Sequence, residues 1–296
     1  MQYYDQETHL LLNGKFIKAK DANVSLFGQS LHYGFSAFEG LRSYATHNGT
    51  RIFKAAEHFD RLKAACDSIG LEYKWNNKEL IEQSYELLKL NNLQNAYIRP
   101  LVFSGDNMHL TPSSKSEIMI AAWEWGPYLG HQEIKVCLST IKKPHLAQNA
   151  TKGKVSGNYV SAIMATSDAN KKGFDEALLV DQDGNVIQAA SENLFIEKDL
   201  VIYTPPKEGI FPGITRQTVI DICKALNIRI MEKPISIEEV KSADSAFLSG
   251  TAAEVIGIKK VEDVQYPWKW EDTLGAVIQK KYKNLVLEQE NYEVII

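Results

Sequence analysis

Lys152 and Lys154 flank Gly153 just before a segment of helical character, and this arrangement could carry amine chemistry. A lysine attacks a carbonyl only as the neutral amine, so its pKa must be lowered by burial or by a neighbouring cation. Two lysines beside one glycine would suit such a Schiff-base site. Most lysines are solvated, so a pair of ordinary loop lysines also explains these residues.

Two glycine-containing turns beside hydroxyl residues could bind an anion. Phe211-Pro212-Gly213-Ile214-Thr215-Arg216 leads into a predicted helix, whose free N–H groups and dipole suit a phosphate. Ser249-Gly250-Thr251-Ala252-Ala253-Glu254 ends an apolar run and could form a second anion-binding turn. An ordinary capped helix and a strand-ending turn would explain each segment taken alone.

Composition and missing motifs exclude several classes of protein. The 296 residues carry a formal net charge of -4, which disfavours a basic nucleic-acid binder. No apolar run approaches the ~20 residues that cross a bilayer, and no signal peptide is apparent. The chain has no GxGxxG, GxxxxGK[ST] or GxSxG segment. Its 3 cysteines form no CxxC and its 7 histidines no metal-ligand spacing, so we expect a reduced cytoplasmic protein without a structural metal.

Strands and helices that must position these residues alternate irregularly along the chain. This order predicts α+β or mixed α/β domains rather than a doubly wound parallel sheet. Pro100 cannot donate to a strand ladder, so its strand is expected at an edge or bulged there. The pattern predicts hairpins turning at Asn13-Gly14 and at 181–184, strands at 96–103, 117–123 and 134–140, and helices at 55–69, 78–90, 158–171, 214–226 and 271–289.

Several short segments occur in the order found in one enzyme family. Together they resemble the branched-chain amino acid aminotransferases, which are fold-type IV pyridoxal phosphate enzymes, and the resemblance spans nearly the whole chain. The segments are Leu31-His32-Tyr33-Gly34, Phe38-Glu39-Gly40-Leu41-Arg42, Glu57-His58-Phe59-Asp60-Arg61-Leu62, Tyr97-Ile98-Arg99-Pro100, Trp125-Gly126-Pro127-Tyr128-Leu129-Gly130, Lys154, Gly157-Asn158-Tyr159, Ser191-Glu192-Asn193-Leu194-Phe195, 212–216 and 249–254.

The resemblance implies a two-domain architecture with pyridoxal 5′-phosphate between the domains. It places a smaller N-terminal α/β domain at 1–122, an interdomain linker at 123–133 and a larger C-terminal cofactor-binding domain at 134–296. It further implies a homodimer or a higher homo-oligomer. The partners would be amino acids and 2-oxo acids, with neither nucleic acid nor a membrane.

The family's cofactor residues carry over position by position. Lys154 would hold the cofactor through a Schiff base and then move a proton as general base and acid. Arg61 would clamp the phosphate, and Tyr159 would hydrogen-bond the phenolic oxygen. Without the resemblance, Arg61 could be a solvated helix charge and Tyr159 a packed aromatic. The remaining implied cofactor residues are Gln188, Ile214, Thr215, Gly250 and Thr251.

The resemblance also implies a substrate site. The backbone amides of Thr251 and Ala252, with the Tyr97 hydroxyl, would receive the α-carboxylate. Arg42 and Arg99 would bind the second carboxylate of glutamate, since one pocket must accept both substrate types. Burying the methyl groups of leucine, isoleucine or valine is favourable by ~0.8 kcal/mol per CH₂. The implied pocket walls are Phe38, Tyr33, Trp125, Tyr128 and Leu110, with Tyr33 and Leu110 from the second subunit; core packing would explain each aromatic alone.

One position departs from the family pattern. The family places a glutamate opposite the pyridine nitrogen, and the aligned residue here is Gln188. A neutral amide can hydrogen-bond but supplies no charge to a protonated ring, so we expect slower or altered transamination.

The family's reaction is ping-pong amino transfer between L-leucine, L-isoleucine or L-valine and 2-oxoglutarate, and this is the activity that the resemblance implies. The alternatives are a D-amino acid aminotransferase, an aminodeoxychorismate lyase, or a catalytically weak homologue that binds the cofactor.

Overall fold

The structure is a computed structural model that describes residues 3–112, 115–126, 133–141 and 153–288. Its contacts divide the chain into two compact units. One contains the described residues of Met1–Gly126 and Ala150–Tyr159, and the other those of Pro127–Asn149 and Val160–Ile296. Within the described residues, no helix is long and apolar enough to cross a membrane.

The first unit is built on an antiparallel sheet. The strands run in the spatial order β2-β1-β7-β6-β4-β5, and β3 also pairs with β6. They are β1 (His9–Leu12), β2 (Lys15–Lys18), β3 (Ser36–Phe38), β4 (Leu41–Thr46), β5 (Gly49–Ile52), β6 (Ala96–Ser104) and β7 (Ser116–Glu124). The predicted hairpin is confirmed, because β1 and β2 meet at Asn13 and Gly14, whose φ angles of 51° and 81° suit a tight two-residue turn.

The described part of this unit contains the helices α1 (Gln29–Tyr33), α2 (Ala55–Ile69) and α3 (Asn77–Leu90). Helix α2 was predicted with the same bounds, and it buries Phe59, Leu62 and Ala65 at helical spacing. Gly70 ends it in the left-handed conformation at φ 71°. The buried faces of α2 and α3 share one hydrophobic core with the sheet.

Strand β6 lies inside the sheet, so the prediction of an edge or bulged strand at Pro100 is wrong. Its pairing with β7 continues without a break from Ala96 to Ser104. On the other side, β3 ends at Phe38 and β4 begins only at Leu41. The missing N–H of Pro100 therefore faces a gap between two strands, where Glu39 N–H donates to the Pro100 carbonyl at 2.9 Å.

The second unit contains a mixed sheet, as the irregular order of elements predicted. Its strands run in the order β10-β9-β8-β15-β14-β11-β12-β13, with β16 beside β15. Strand β8 is parallel to β9 and β15, and β12 is parallel to β13. The strands are β8 (Glu133–Leu138), β9 (Glu176–Val180), β10 (Val186–Ala189), β11 (Asn193–Lys198), β12 (Val201–Thr204), β13 (Ile230–Glu232), β14 (Ser245–Gly250), β15 (Glu254–Val261) and β16 (Val264–Gln265).

The remaining helices of the described residues are α4 (Tyr159–Lys171), α5 (Ile214–Ala225), α6 (Ile237–Lys241) and α7 (Leu274–Val286). The predicted helix at 271–289 begins later, because Trp270–Asp272 forms a 3₁₀ turn and the Thr273 side chain caps α7 by accepting from Ala276 N–H. The hairpin at 181–184 is confirmed by the antiparallel pairing of β9 and β10.

The structure differs from the predicted domain boundaries at two points. The linker was expected to begin at residue 123, but β7 continues to Glu124 because Ala96 and Tyr97 pair with Glu124 and Trp123. Lys154 was predicted to belong to the C-terminal domain. In the structure, the segment that contains it belongs to the first unit. A β-bridge between Ala37 and Val155 attaches the segment there.

Candidate active site

Lys154 is half-buried in the first unit, where its amine and its backbone are both held. Its Nζ donates to the Tyr159 hydroxyl at 2.8 Å and lies 5.9 Å from the centre of the Phe38 ring. Its carbonyl accepts from Phe38 N–H at 2.9 Å. Lys154 is therefore not an ordinary solvated lysine. Lys152 lies outside the described residues.

Arg61 projects from α2 against a buried carboxylate. Its Nε and Nη2 donate to the two oxygens of Glu39 at 2.6 and 2.9 Å. His58 Nδ1 lies 2.8 Å from Glu39 Oε2. Burial alone would raise the pKa of Glu39, but the charge of Arg61 and the hydrogen bonds from His58 and Arg61 lower it well below its usual range. Burial lowers the pKa of His58, so the imidazole is neutral and donates from Nδ1.

Gly153 allows the Lys154 segment to pack directly on α2. A Cβ at this position would lie 2.5 Å from the Ala65 Cβ and 3.1 Å from the Arg61 carbonyl oxygen. No larger residue fits without moving the helix or the segment. The first unit thus holds Lys154 against Tyr159 and the Lys154 segment against the backbone of Arg61.

Arg99 lies in an aromatic cluster of the same unit. Its guanidinium carbon is 4.7 Å from the ring centre of Phe38, 5.2 Å from that of Tyr97 and 5.9 Å from that of Trp123. Trp125 adjoins the cluster, with 5.1 Å between its ring centre and that of Tyr97. The Arg99 Nε is buried and has no hydrogen-bond partner within the described part of the chain. A buried donor of this kind is costly unless a ligand uses it.

The other predicted substrate residues are placed differently. Arg42 is buried with its guanidinium 5.1 Å from the centre of the Tyr44 ring and its Nη2 3.5 Å from the Trp125 carbonyl oxygen. Tyr33 and Leu110 are 48% and 87% exposed, so they do not line this cluster within the unit. Tyr128 lies outside the described residues.

The second unit brings Gln188 next to the segment before α5. Gln188 is buried; its Oε1 accepts from Phe211 N–H at 2.9 Å and its Nε2 donates to the Ala189 carbonyl at 3.2 Å. The Asn193 amide also donates to the Phe211 carbonyl, at 2.9 Å. Ile214 and Thr215 lie in the first turn of α5, and no side chain of the described residues caps this helix at its Gly213 N-cap. Backbone N–H groups of this first turn suit an anion.

The turn from Gly250 to Glu254 joins β14 and β15, and it contains Thr251 and Ala252. Glu192 lies beneath it, since a Cβ on Gly250 would be 3.1 Å from the Glu192 Cγ. Burial, with the neighbouring Glu192 carboxylate, raises the pKa of Glu176 to about 8. Burial and a neighbouring carboxylate both disfavour the ionised form of Glu176.

Sequence reasoning assigned no role to Glu39, His58 or Asn193. These residues entered the sequence comparison only as members of the segments that resemble the family. Glu39 and Arg61 are 22 positions apart in the chain, which is no local spacing. The one sequence feature that could have drawn attention to Glu39 is its position as a charged residue between Phe38 and Gly40.

Comparison with known proteins identifies the family. The sequence model of the family described as Amino-transferase class IV matches residues 36–261. The chain belongs to the class IV aminotransferases, and the resemblance noted from the sequence is confirmed. It is thus a transferase with the fold-type IV architecture.

The individual relatives carry a more specific name. The branched-chain-amino-acid aminotransferase of Pseudomonas aeruginosa is 36% identical over 292 residues, which cover 97% of this chain and 95% of the relative. The solved Escherichia coli branched-chain amino acid aminotransferase is 33% identical with a TM-score of 0.91, covering 98% of each chain. The solved T.th. branched-chain amino acid aminotransferase, in complex with N-(5′-phosphopyridoxyl)-L-glutamate, is 32% identical with a TM-score of 0.91, covering 96% of this chain and 95% of that one.

Proposed function

We propose that this protein transfers the α-amino group between L-leucine, L-isoleucine or L-valine and 2-oxoglutarate by a ping-pong mechanism. Pyridoxal 5′-phosphate is the proposed cofactor. The observation that carries the proposal is the Lys154 amine, held 2.8 Å from the Tyr159 hydroxyl in the unit that also contains Arg61 and the Arg99 cluster. The relatives named above are branched-chain amino acid aminotransferases, which supports the same substrate class.

The residues present fit this cofactor. In this proposal Arg61 would offer a planar guanidinium to the phosphate, and the backbone amides of Ile214, Thr215 and Thr251, together with Gly250, would be its further ligands. In this proposal Tyr159 would hydrogen-bond the phenolic oxygen, and Gln188 would be the residue opposite the ring nitrogen. When bound, the cofactor supplies a sink for the electron pair that the substrate α-carbon releases.

Lys154 moves the proton of the reaction. Its Nζ takes a proton from the substrate α-carbon and returns a proton on the cofactor side. Tyr159 orients this nitrogen through its hydroxyl, and the hydrogen bond from Phe38 N–H fixes the Lys154 backbone. The amine therefore acts from a defined position rather than from a mobile side chain.

One pocket must accept an apolar side chain and a second carboxylate. Phe38, Tyr97 and Trp125 offer apolar ring surface for leucine, isoleucine and valine. Arg99 lies among the same rings with a buried Nε available to an acidic group. The Tyr97 hydroxyl and the amides of Thr251 and Ala252 would receive the α-carboxylate in this proposal, as the family resemblance implies. Arg42, held near Trp125, is the second proposed cation for the distal carboxylate.

A homodimer or higher homo-oligomer completes the site in this proposal. Leu110 and Tyr33 are large apolar or aromatic residues that stay exposed in the isolated chain. A second copy of the chain would bury them and receive their side chains as walls of its pocket. Tyr128 is the remaining proposed wall.

The visible absorption spectrum tests the function directly. The purified protein is expected to show a cofactor band that L-leucine bleaches and 2-oxoglutarate restores, which would demonstrate both half-reactions. A band that L-leucine leaves unchanged would contradict the proposed substrate and favour a D-amino acid aminotransferase, aminodeoxychorismate lyase or weak homologue. Absence of any band with added pyridoxal phosphate would contradict the cofactor assignment.

Gln188→Glu should raise the turnover with L-leucine by about tenfold. A carboxylate opposite the ring nitrogen would favour the protonated ring by charge pairing, and one pKa unit of stabilisation corresponds to a factor of ten. Its oxygen can still accept from Phe211 N–H, as Gln188 Oε1 does at 2.9 Å. Steady-state turnover provides the measurement.

Gln217→Glu is the matched control for Gln188→Glu, because it adds the same charge at an exposed position of α5. Its turnover should equal that of the unmodified protein. An unchanged or lower rate in Gln188→Glu would count against the expected role of position 188.

A further inference from the structure

Glu39 is a fully buried carboxylate to which the proposed reaction gives no part. The side chain of Glu39 is 0% exposed, and the residue lies between the end of β3 and the start of β4. It accepts hydrogen bonds from Arg61 Nε and Nη2, from His58 Nδ1 and from its neighbour Gly40 N–H. A buried carboxylate with this many donors is tightly constrained.

The contact with Arg61 is bidentate, and this sets the direction of the guanidinium. Glu39 Oε1 binds Nε and Glu39 Oε2 binds Nη2, so two parallel hydrogen bonds fix the plane of the group. A guanidinium held along its Nε–Nη2 edge presents its Nη1 edge in another direction. Glu39 therefore determines where Arg61 can offer donors to a further anion.

The same short segment also fixes Lys154. Phe38 N–H donates to the Lys154 carbonyl, and Glu39 next to it binds Arg61. On the other side, Gly153 lies against the Arg61 carbonyl oxygen. Phe38 and Glu39 thus link the backbone of the proposed Schiff-base lysine to the guanidinium of the proposed phosphate ligand.

We propose that Glu39 is a positioning residue, which holds Arg61 in the orientation that binds the cofactor's phosphate group. This inference rests on the proposed role of Arg61 in the function above. It adds a second requirement for cofactor binding: the carboxylate must reach both Nε and Nη2. With a neutral or shorter side chain at position 39, Arg61 would stay buried, but its guanidinium would no longer be held in the orientation that binds the phosphate.

Equilibrium binding of two cofactor forms distinguishes positioning from general support of the fold. Glu39→Gln places an amide NH₂ against a donor of Arg61 or His58, so we expect the Kd for pyridoxal 5′-phosphate to rise about tenfold. The Kd for pyridoxal, which lacks the phosphate, should stay unchanged. Glu57→Gln removes the same charge from an exposed position on α2 and should alter neither value. Equal weakening of both cofactor forms by Glu39→Gln would overturn the inference.

Two further variants keep the test decisive if Glu39→Gln folds poorly. Glu39→Asp retains the charge but is one methylene shorter, so it should also weaken binding of pyridoxal 5′-phosphate and spare pyridoxal. Arg61→Gln should remove the phosphate-dependent affinity, and adding Glu39→Gln to it should change nothing more. Wild-type affinity in Glu39→Asp, or additive losses in the double variant, would overturn the proposal.

These measurements contain no substrate, so they separate the inference from the proposed function. A protein that shows the expected binding differences yet fails to bleach with L-leucine would refute the proposed substrate and leave the role of Glu39 intact. A wild-type protein that binds pyridoxal as tightly as pyridoxal 5′-phosphate would overturn the phosphate role of Arg61 and the inference together.

Discussion

Lys154→Ala is expected to abolish amino transfer, with a fall in turnover of at least about 10⁴-fold. The variant loses the covalent attachment of the cofactor and the group that moves the proton, and general acid–base catalysis alone contributes up to about 10⁴-fold. Tyr159 remains but no longer has the Nζ that it binds at 2.8 Å. Turnover with L-leucine and 2-oxoglutarate measures the effect.

Borohydride treatment followed by peptide mass analysis shows whether the Lys154 amine is the group that attaches the cofactor. It should fix the cofactor to the Lys154 peptide in the unmodified protein and to no peptide in the variant. Lys171→Ala removes an exposed lysine at the end of α4 and should behave as the unmodified protein. Retained labelling or retained turnover in Lys154→Ala would show that the Schiff-base assignment is wrong.

Arg99→Met should separate the two substrate types. We expect kcat/KM for L-glutamate to fall about 100-fold, because loss of one partner of a buried charge pair costs about 2–5 kcal/mol. The methionine side chain can still contact the rings of Phe38, Tyr97 and Trp123, which surround Arg99 at 4.7, 5.2 and 5.9 Å. The value for L-leucine should therefore change by less than about threefold. Half-reaction kinetics with each amino acid gives both numbers.

L-leucine acts as the internal control for Arg99→Met, since a damaged fold would slow both half-reactions. Arg42→Met tests the second proposed cation of the distal carboxylate in the same way; Arg42 lies against Tyr44 and the Trp125 carbonyl. An equal loss for both amino acids would identify Arg99 as a packing residue. An unchanged rate with L-glutamate would assign the second carboxylate to another cation.

The local elements of this protein were determined by the sequence itself. Asn13-Gly14 forms its turn because both residues tolerate a positive φ, and α2 takes its predicted bounds because its apolar residues repeat at helical spacing up to Gly70. The order of the matched segments was sufficient to recognise the family, which the comparisons confirm. The roles of Arg61, Lys154 and Gln188 remain predictions from that resemblance.

Only the tertiary structure decided which of these residues meet. Glu39 binds Arg61 across 22 positions and Gln188 binds Phe211 across 23, and no periodicity of a helix or strand connects such pairs. The position of Pro100 could not be predicted from the sequence either, because its place inside the sheet depends on the gap between β3 and β4 opposite it. Hydrophobic patterns and turn residues determine the structure of a few neighbouring positions. The partner of a buried charge is determined by how segments distant in the sequence pack together.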